Sequence, residues 1–212
     1  SFSDMTYCTR CCLPETVQGI GFDELGICKA CRASEQKMRI DWTEREKSLR
    51  DLLEKQKAAA RAAGNYDCII PVSGGKDGSY VAYNLKHKYR MNPLCVTITP
   101  PMPLQLGEDN LRSFVESGYN HISINASFEA MRSLNKYGLI HMGFPYYGWL
   151  LAVQSVPIQI ASKFNIKLIF YGEDGEVEYG GSTETDKNPI FNIEYMKRIY
   201  LGNGYEKVLE KA

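Results

Sequence analysis

A short polar turn between an apolar run and a helical pattern is the first place in this chain where chemistry is suggested. Residues 68–72 read Cys-Ile-Ile-Pro-Val, which has the length and β-branched content of a buried strand. Apolar residues at helical spacing begin after Asp77, and the turn 73–79 between the two patterns reads Ser-Gly-Gly-Lys-Asp-Gly-Ser. Glycines let backbone N–H groups approach a ligand, and a helix N-terminus adds partial positive charge. The turn therefore predicts an anion site, with phosphate as the expected guest.

The side chains of this turn suggest separate roles. Lys76 offers a full positive charge to phosphate, whereas an ionised Asp77 is acceptor-only and suits Mg²⁺ better than phosphate. Asp77 could equally serve as the N-cap of the following helix, and the two roles are compatible. We expect Lys76 and Asp77 to be catalytic, and we assign phosphate binding to a set of six residues: Ser73, Gly74, Gly75, Lys76, Asp77 and Ser79.

The turn departs from the common nucleotide motifs. G-x-x-x-x-G-K-[ST] would need glycine at position 70 and a hydroxyl at position 77, where Ile70 and Asp77 stand. Ser-Gly-Gly-Lys-Asp instead resembles the PP-loop of the ATP pyrophosphatase families, whose pattern is S-G-G-x-D-S. The resemblance implies cleavage of ATP to AMP and pyrophosphate by adenylation of a carbonyl-type oxygen. The last serine of the pattern falls on Gly78, which leaves the phosphate role of Ser79 open.

Cysteines near the start of the chain have metal-ligand spacing. Cys8 and Cys11 form one C-x-x-C pair, Cys28 and Cys31 form a second, and sixteen residues separate the pairs. Four thiolates at this spacing are typical of a structural zinc site, and a segment this short needs such a metal to fold. Cys12 could replace Cys11 as a ligand, and a redox or iron–sulfur site is the competing interpretation.

Composition limits the class of protein. The 212 residues carry 25 basic and 25 acidic side chains, so the net charge of zero argues against a nucleic acid as the main partner. No apolar run reaches the length of about 18 residues that a bilayer-spanning helix requires. An odd number of cysteines, seven, argues against a disulfide framework and for the reducing cytoplasm.

Alternating patterns predict an α/β fold with a parallel sheet covered by helices on both faces. Strands are expected at 67–72, 94–99, 121–125 and 166–171, with helices at 41–63, 77–89, 108–117, 127–136, 150–164 and 190–200. The predicted domains are a zinc knuckle at 1–40, a connecting helix at 41–64 and a main domain at 65–212. Ligands collect where parallel strands end, so the loops at 73–79, 100–107, 141–149 and 172–181 should share one rim.

Further candidates lie on that rim. Thr97 and Thr99 end the second strand, where backbone groups could bind adenosine. Glu173 and Glu178 are acids in a glycine-flanked loop, and they could act as a base toward ammonia, as Mg²⁺ ligands or as anchors for sugar hydroxyls. A solvated acidic loop is the alternative. His141 opens an aromatic segment that fits either a sugar face or loop packing.

Five stretches together resemble the N-acetyl sugar amidotransferases, a PP-loop family of surface-polysaccharide and nonulosonic acid pathways. The stretches are C-T-R-C-C-L-P-E-T at 8–16, F-D-E-L-G-I-C-K-A-C at 22–31, V-S-G-G-K-D at 72–77, V-P-I-Q-I-A-S-K-F-N-I-K-L-I-F-Y-G-E-D at 156–174 and E-Y-G-G at 178–181. The family usually has Gly-Glu-Asn where Asp174 ends the corresponding triplet here. Its members also extend well beyond 212 residues, so we expect the natural chain to be longer.

The resemblance implies the adenine nucleotide alpha hydrolase-like fold and an ATP-dependent C–N ligase with ATP, Mg²⁺ and Zn²⁺ as cofactors. An N-acetyl sugar, free or nucleotide-linked, would be adenylated on its acetamido oxygen and converted by ammonia to an acetamidino sugar. A separate glutaminase subunit would supply the ammonia. Three alternatives stay open, namely a tRNA thiolation enzyme, another PP-loop ligase acting on a small acid or amide, and a non-catalytic nucleotide-binding subunit that docks a partner.

Overall fold

The computed structural model describes residues 5–17 and 19–173, together with the single positions 194 and 210. The chain divides into two compact units, and within the described range Ser48 closes the first while Leu49–Glu173 belongs to the second. The predicted helix at 190–200 and the loop beyond Glu173 lie outside the described residues, apart from Glu194. The predicted boundaries at 40 and 64 stay predictions.

The first unit has very little core. Cys8, Ile20 and Cys28 are its buried apolar residues within the described range, and isolated antiparallel bridges join Tyr7 to Pro14 and Phe22 to Cys28. Helix α1 (Lys29–Lys37) follows directly, and its N-cap is Cys28, whose sulfur accepts a hydrogen bond from the Cys31 N–H. No helix is predicted here from sequence, because the cysteine spacing dominates the pattern.

Helix α2 (Trp42–Ala62) begins at the expected place. The Asp41 carboxylate accepts hydrogen bonds from the N–H groups of Thr43 at 3.0 Å and Glu44 at 3.1 Å, as an N-cap side chain does. Farther along the helix, Leu53 is buried and Leu49 packs against the core of the second unit.

Among the described residues of the second unit, three parallel strands form a sheet in the order β1 (Cys68–Pro71), β2 (Pro93–Ile98) and β3 (Asn120–Ile124). The fourth predicted strand, at 166–171, is reduced to a parallel bridge between Ile169 and Ile69, with one hydrogen bond of 2.9 Å on each side. Ile69 uses its N–H and carbonyl for that bridge, while its neighbours in β1 pair with β2. After β3 the chain therefore returns to the other side of β1, so the order of the strands reverses next to β1. In open α/β sheets, ligands bind where the strand order reverses.

Helices cover both faces of this sheet. Helix α3 (Lys76–Tyr83), continued by a π-helical turn at Asn84–Lys88, follows β1, and helix α4 (Gln105–Glu116) follows β2. One core cluster joins Ile70 and Cys95 to residues of α2, α3 and α4, and a second joins Ile69 and Val96 to the helix at Tyr147–Lys163. The predicted α/β class, with a cysteine cluster near the N-terminus, is confirmed.

The last two helices differ from their predicted bounds. Helix α5 spans Phe128–Met142 and ends at Gly143, whose φ is 67°, whereas helix α6 spans Tyr147–Lys163. Gly138 lies inside α5, beyond the predicted end at 136, and a Cβ at this position would collide with the Phe144 carbonyl and the Tyr147 side chain. Most of the predicted loop 141–149 is therefore helical. No helix among the described residues has the length and apolar character needed to cross a membrane.

Candidate functional site

The glycine turn connects β1 to α3 as the sequence predicts. Gly74 has φ +81°, and Gly75, with φ −75° and ψ 168°, is the N-cap of α3. The Ser73 hydroxyl accepts a weak hydrogen bond of 3.4 Å from the Gly75 N–H. The chain thus reverses within two residues and starts a helix at Lys76.

Gly74 is required by its surroundings as well as by its backbone angle. A Cβ at this position would lie 2.7 Å from the Leu111 nitrogen and 3.1 Å from the Gly107 carbonyl oxygen. Both atoms are backbone atoms of α4, which cannot give way as a flexible side chain could. The turn is therefore pressed against α4, and this contact fixes its position.

The first turn of α3 offers backbone donors to an anion. The earliest hydrogen bond of this turn runs from the Ser79 N–H to the Gly75 carbonyl at 3.4 Å. The N–H groups that precede it in a helix have no intrahelical acceptor, and they carry the positive end of the helix dipole. The geometry of the turn therefore suits a phosphate group.

Lys76 and Asp77 form an ion pair at this point. The Lys76 Nζ lies 2.7 Å and 2.9 Å from the two Asp77 carboxylate oxygens. The Lys76 side chain is 88% exposed and that of Asp77 is 43% exposed, so both can be reached from solvent. A bound polyphosphate with its divalent cation could separate the pair by taking the lysine for phosphate and the carboxylate for the cation.

The contacts of Ser79 and Gly78 account for the departure from the PP-loop pattern, in which a serine would stand at position 78. The Ser79 hydroxyl donates a 2.7 Å hydrogen bond to the Gly75 carbonyl, so its proton points into the helix. A Cβ at Gly78 would lie 2.9 Å from the Pro71 carbonyl oxygen and 3.4 Å from the Val72 Cα. A serine at position 78 would therefore need the helix to move away from the end of β1.

Glu173 is placed next to the turn by Gly172. A Cβ on Gly172 would lie 2.7 Å from the Gly78 nitrogen and 2.8 Å from the Asp77 carbonyl carbon, so the chain after the 168–170 bridge touches the first turn of α3. Glu173 follows and is exposed. Its predicted partner Glu178, like Asp174, lies outside the described residues.

The two threonines of β2 occupy different positions. Thr97 is 4% exposed, and its hydroxyl donates a 2.7 Å hydrogen bond to the Val72 carbonyl. Thr99 is half-buried beyond the end of β2, where its N–H donates to the Ile124 carbonyl at 3.0 Å and its hydroxyl lies 3.3 Å from that of Ser123. The Thr97 side chain is thus engaged within the sheet, and Thr99 is the one nearer the rim.

The aromatic segment does not form one surface at the rim. His141 lies in the last turn of α5 and contacts the Tyr137 ring, with 4.4 Å between ring centroids. Trp149 lies in α6, and its indole Nε1–H donates a long 3.4 Å hydrogen bond to the Ile98 carbonyl at the end of β2. Trp149 of this segment therefore contacts the end of β2 from its position in α6.

In the first unit, the four predicted cysteines come together. The sulfur atoms of Cys8, Cys11, Cys28 and Cys31 all lie within 4.8 Å of one another, and those of Cys11 and Cys28 are 3.6 Å apart. A tetrahedral zinc site with Zn–S bonds of about 2.3 Å places its sulfurs about 3.8 Å apart. The cluster could therefore hold a zinc ion. Cys12 is exposed and does not belong to the cluster.

The thiols of this cluster differ in pKa, and backbone N–H donors lower that of Cys8. Burial raises the pKa of the Cys8 thiol, but N–H groups of Cys11, Cys28 and Arg10 outweigh burial and lower that pKa to about 6. Burial also raises the pKa of Cys28, and burial with neighbouring thiol hydrogen bonds raises that of Cys31 to about 12. Four thiolates at these distances would repel one another, so full ionisation requires a bound cation.

Sequence reasoning missed two backbone contributions to the turn. The first is α4, whose Gly107–Leu111 backbone touches Gly74, and the second is Gly172, which touches Asp77 and Gly78. The glycines themselves were visible in the sequence, and glycine is the usual sign of a close backbone approach. Their partners could not be identified, because the approach depends on how the elements pack.

Comparisons with known proteins leave the family open. No protein-family model matches this chain. An uncharacterized protein of Methanocaldococcus jannaschii is 45% identical over 38 residues, a stretch that spans 18% of this chain and 14% of that protein. A crystal structure of a predicted subunit of tRNA methyltransferase, also from Methanocaldococcus jannaschii, aligns with 68% of this chain and 72% of its own, at 16% identity and a TM-score of 0.40. A likeness at that level carries no functional assignment.

Proposed function

We propose that the second unit binds ATP at the 73–79 turn and transfers its adenylyl group to an amide oxygen. The observation that carries this proposal is the Ser-Gly-Gly-Lys-Asp turn between β1 and α3, which lies where the order of the strands reverses. Gly74 lies against the backbone of α4, and Gly78 lies against the backbone at the end of β1. These two contacts hold the N–H donors of the turn in place before a ligand binds.

The proposed reaction is an ATP-dependent amidine synthesis. The acetamido oxygen of an N-acetyl sugar attacks the α-phosphorus of ATP, and pyrophosphate leaves. Ammonia then attacks the resulting imidate carbon, and AMP leaves with the former amide oxygen. Adenylation is needed because an amide carbonyl is a poor electrophile and its oxygen is a poor leaving group.

Residues of the turn have defined roles in this proposal. Backbone N–H groups at the start of α3 bind the phosphates, and Lys76 neutralises charge on the departing pyrophosphate. Asp77 would hold Mg²⁺, which would help to neutralise the charge on the phosphates. Glu173, adjacent to Asp77 through Gly172, removes a proton from the incoming nitrogen nucleophile. Glu178 has the same proposed role, and Thr99 is assigned to adenosine.

Ammonia is proposed to come from a separate glutaminase subunit. Cys68 and Cys95 are buried in β1 and β2, and burial raises the pKa of both thiols, that of Cys95 to about 12. A thiol in that state is a poor nucleophile, so neither residue can hydrolyse glutamine. The four-cysteine cluster holds Zn²⁺ in a structural role, since four thiolates leave no open coordination position. Reduced thiols and an ATP substrate together favour the cytoplasm.

The decisive experiment follows the amide oxygen. The protein is incubated with ATP, magnesium, ammonium and a panel of acetamido sugars whose acetamido oxygen carries a heavy-oxygen label. We expect the label to appear in AMP, together with pyrophosphate and a sugar in which NH has replaced the amide oxygen. Unlabelled AMP formed with pyrophosphate would keep ATP cleavage but remove the amide as the adenylated group. A protein that neither binds nor cleaves ATP under these conditions contradicts the whole proposal.

A further inference from the structure

The end of β1 is held by a side chain where a ladder bond would be expected. The Val72 N–H donates to the Val96 carbonyl at 2.9 Å, which continues the parallel pairing one residue beyond the strand. The Val72 carbonyl accepts its hydrogen bond from the Thr97 hydroxyl at 2.7 Å. The next residue, Ser73, starts the turn. The chain therefore leaves the sheet at the carbonyl that Thr97 holds.

The Thr97 hydroxyl is itself oriented from β3. The Nε2 atom of His121 lies 2.8 Å from the Thr97 oxygen. A hydroxyl has one proton, and that of Thr97 is directed at Val72, so the imidazole must be the donor in this second contact. The result is a chain of two hydrogen bonds that runs from His121 through Thr97 to Val72. It connects β3, β2 and the end of β1.

A threonine at position 97 of this buried, apolar strand is unexpected unless its hydroxyl has a role. Its neighbours Leu94, Cys95, Val96 and Ile98 are buried and apolar, and Thr97 itself is 4% exposed. Valine has the same shape and would carry no desolvation cost, whereas a buried hydroxyl is unfavourable unless it is hydrogen-bonded. The two contacts satisfy that requirement, and they do so at the residue before the turn.

We propose that Thr97 and His121 are positioning residues, which fix the point where β1 leaves the sheet and thereby aim the backbone donors of the 73–79 turn. Neither residue touches the anion. They act through the Val72 carbonyl, which belongs to the same planar peptide group as the Ser73 N–H, so its direction also sets that of the first N–H of the turn. The nucleotide measurement described below rests on the proposed function, whereas the geometric claim about the turn does not.

The experiment compares matched pairs of variants. Thr97→Val removes the hydroxyl and keeps the shape, while Thr97→Ser keeps the hydroxyl. His121→Leu removes the donor, while the side-chain amide of His121→Gln can donate from the position of Nε2. Each protein is studied by hydrogen exchange of the 73–79 amides, with the amides of α6 as an internal reference, and by calorimetric titration with MgATP.

We expect Thr97→Val and His121→Leu to speed exchange in the turn and to weaken ATP binding by about fivefold to tenfold each, which is the effect of losing one hydrogen bond. Exchange in α6 should not change. Thr97→Ser and His121→Gln should stay within about threefold of the wild-type protein, since one lost bond is the larger effect. A double variant, Thr97→Val with His121→Leu, should be no worse than Thr97→Val alone, because both residues act in one chain.

Three results would overturn the proposal. The first is unchanged exchange and affinity in Thr97→Val and His121→Leu. The second is exchange that rises equally in the turn and in α6, which would indicate a general loss of stability. The third is failure of the two conservative variants to preserve the turn. If Thr97→Val does not fold, the His121 pair decides alone. If the wild-type protein binds no ATP, the proposed function fails while the exchange data still decide the role of the two residues.

Discussion

The glycine turn and the cysteine cluster are built in opposite ways. The turn is held by the backbone of α4 and of Gly172, and by a core with residues such as Ile70 and Cys95 on one face and Ile69 and Val96 on the other. The cluster lies in a unit whose described buried apolar residues are Cys8, Ile20 and Cys28, two of which belong to the cluster itself. The turn is therefore organised before its ligand binds. The cluster needs its ligand in order to be organised, and this difference can be tested residue by residue.

The largest effect should come from the charge at the turn. Asp77→Ala removes the proposed magnesium ligand, and we expect pyrophosphate release to fall on the order of a hundredfold or more. The fold should not change, because Asp77 is partly exposed and its ion pair with Lys76 lies at the surface. Asp51→Ala, an exposed aspartate of α2, is the matched control and should retain full activity. Normal turnover in Asp77→Ala would remove this residue from the mechanism.

A substitution in the cysteine cluster should disrupt the fold of the first unit, whereas Asp77→Ala in the turn should reduce activity alone. Cys28→Ser removes one of the four sulfurs, so the protein should lose its zinc and the first unit should unfold. Metal analysis and circular dichroism after purification would measure both effects. Cys12→Ser is the control, since Cys12 lies outside the cluster and its replacement should leave the metal bound. Zinc that persists in Cys28→Ser, or is absent from the native protein, would contradict this account.

A smaller effect is expected where the turn meets α4. Gly74→Ala places a Cβ 2.7 Å from the Leu111 nitrogen at a backbone φ of +81°. Left-handed strain and overpacking together should lower the free energy of unfolding of the second unit by about 2–5 kcal/mol. The control is Gly107→Ala, because the space at Gly107 is open and alanine favours a helix. Urea unfolding of both variants measures the difference, and equal stabilities would show that α4 does not press on the turn.

The smallest effect concerns the helix that passes from one unit into the other. Asp41→Ala removes the cap of α2 and should cost about 1 kcal/mol of stability. Asp41→Asn keeps an oxygen acceptor and should lose much less. Thermal unfolding of the two variants would separate the cases. A full loss in the asparagine variant would mean that charge, and not the cap hydrogen bonds, stabilises this end of the helix.

Local patterns made the turn and the cluster predictable. An apolar run, two glycines and a helical pattern place β1, the turn and α3 without any knowledge of the fold. The spacing of Cys8, Cys11, Cys28 and Cys31 likewise predicts four sulfur atoms that lie close together, and Cys12 lies outside that cluster. Both are short-range features, so the sequence contains them in readable form.

Features that depend on packing could not be predicted in the same way. Gly138 looks like a helix stop, but it is a point of close contact with Tyr147, and only the position of α6 reveals this. The place of Thr97 at the end of β2 predicts backbone contacts to adenosine, and this stays a prediction, but only the packing reveals that its hydroxyl is bonded to Val72 and His121. In each case the residue type was informative, and its partner in space decided the role.

Helix α4 has a mechanical consequence. The backbone of its Gly107 and Leu111 touches the turn, and three residues after Leu111 the Phe114 ring stacks on the Tyr119 ring with 4.2 Å between centroids. A shift of the turn against α4 should therefore also displace the stacked rings of Phe114 and Tyr119. The Lys86 ammonium, 4.5 Å from the centre of that ring, would sense the same displacement. The environment of the Tyr119 ring is thus expected to respond to what happens at the turn.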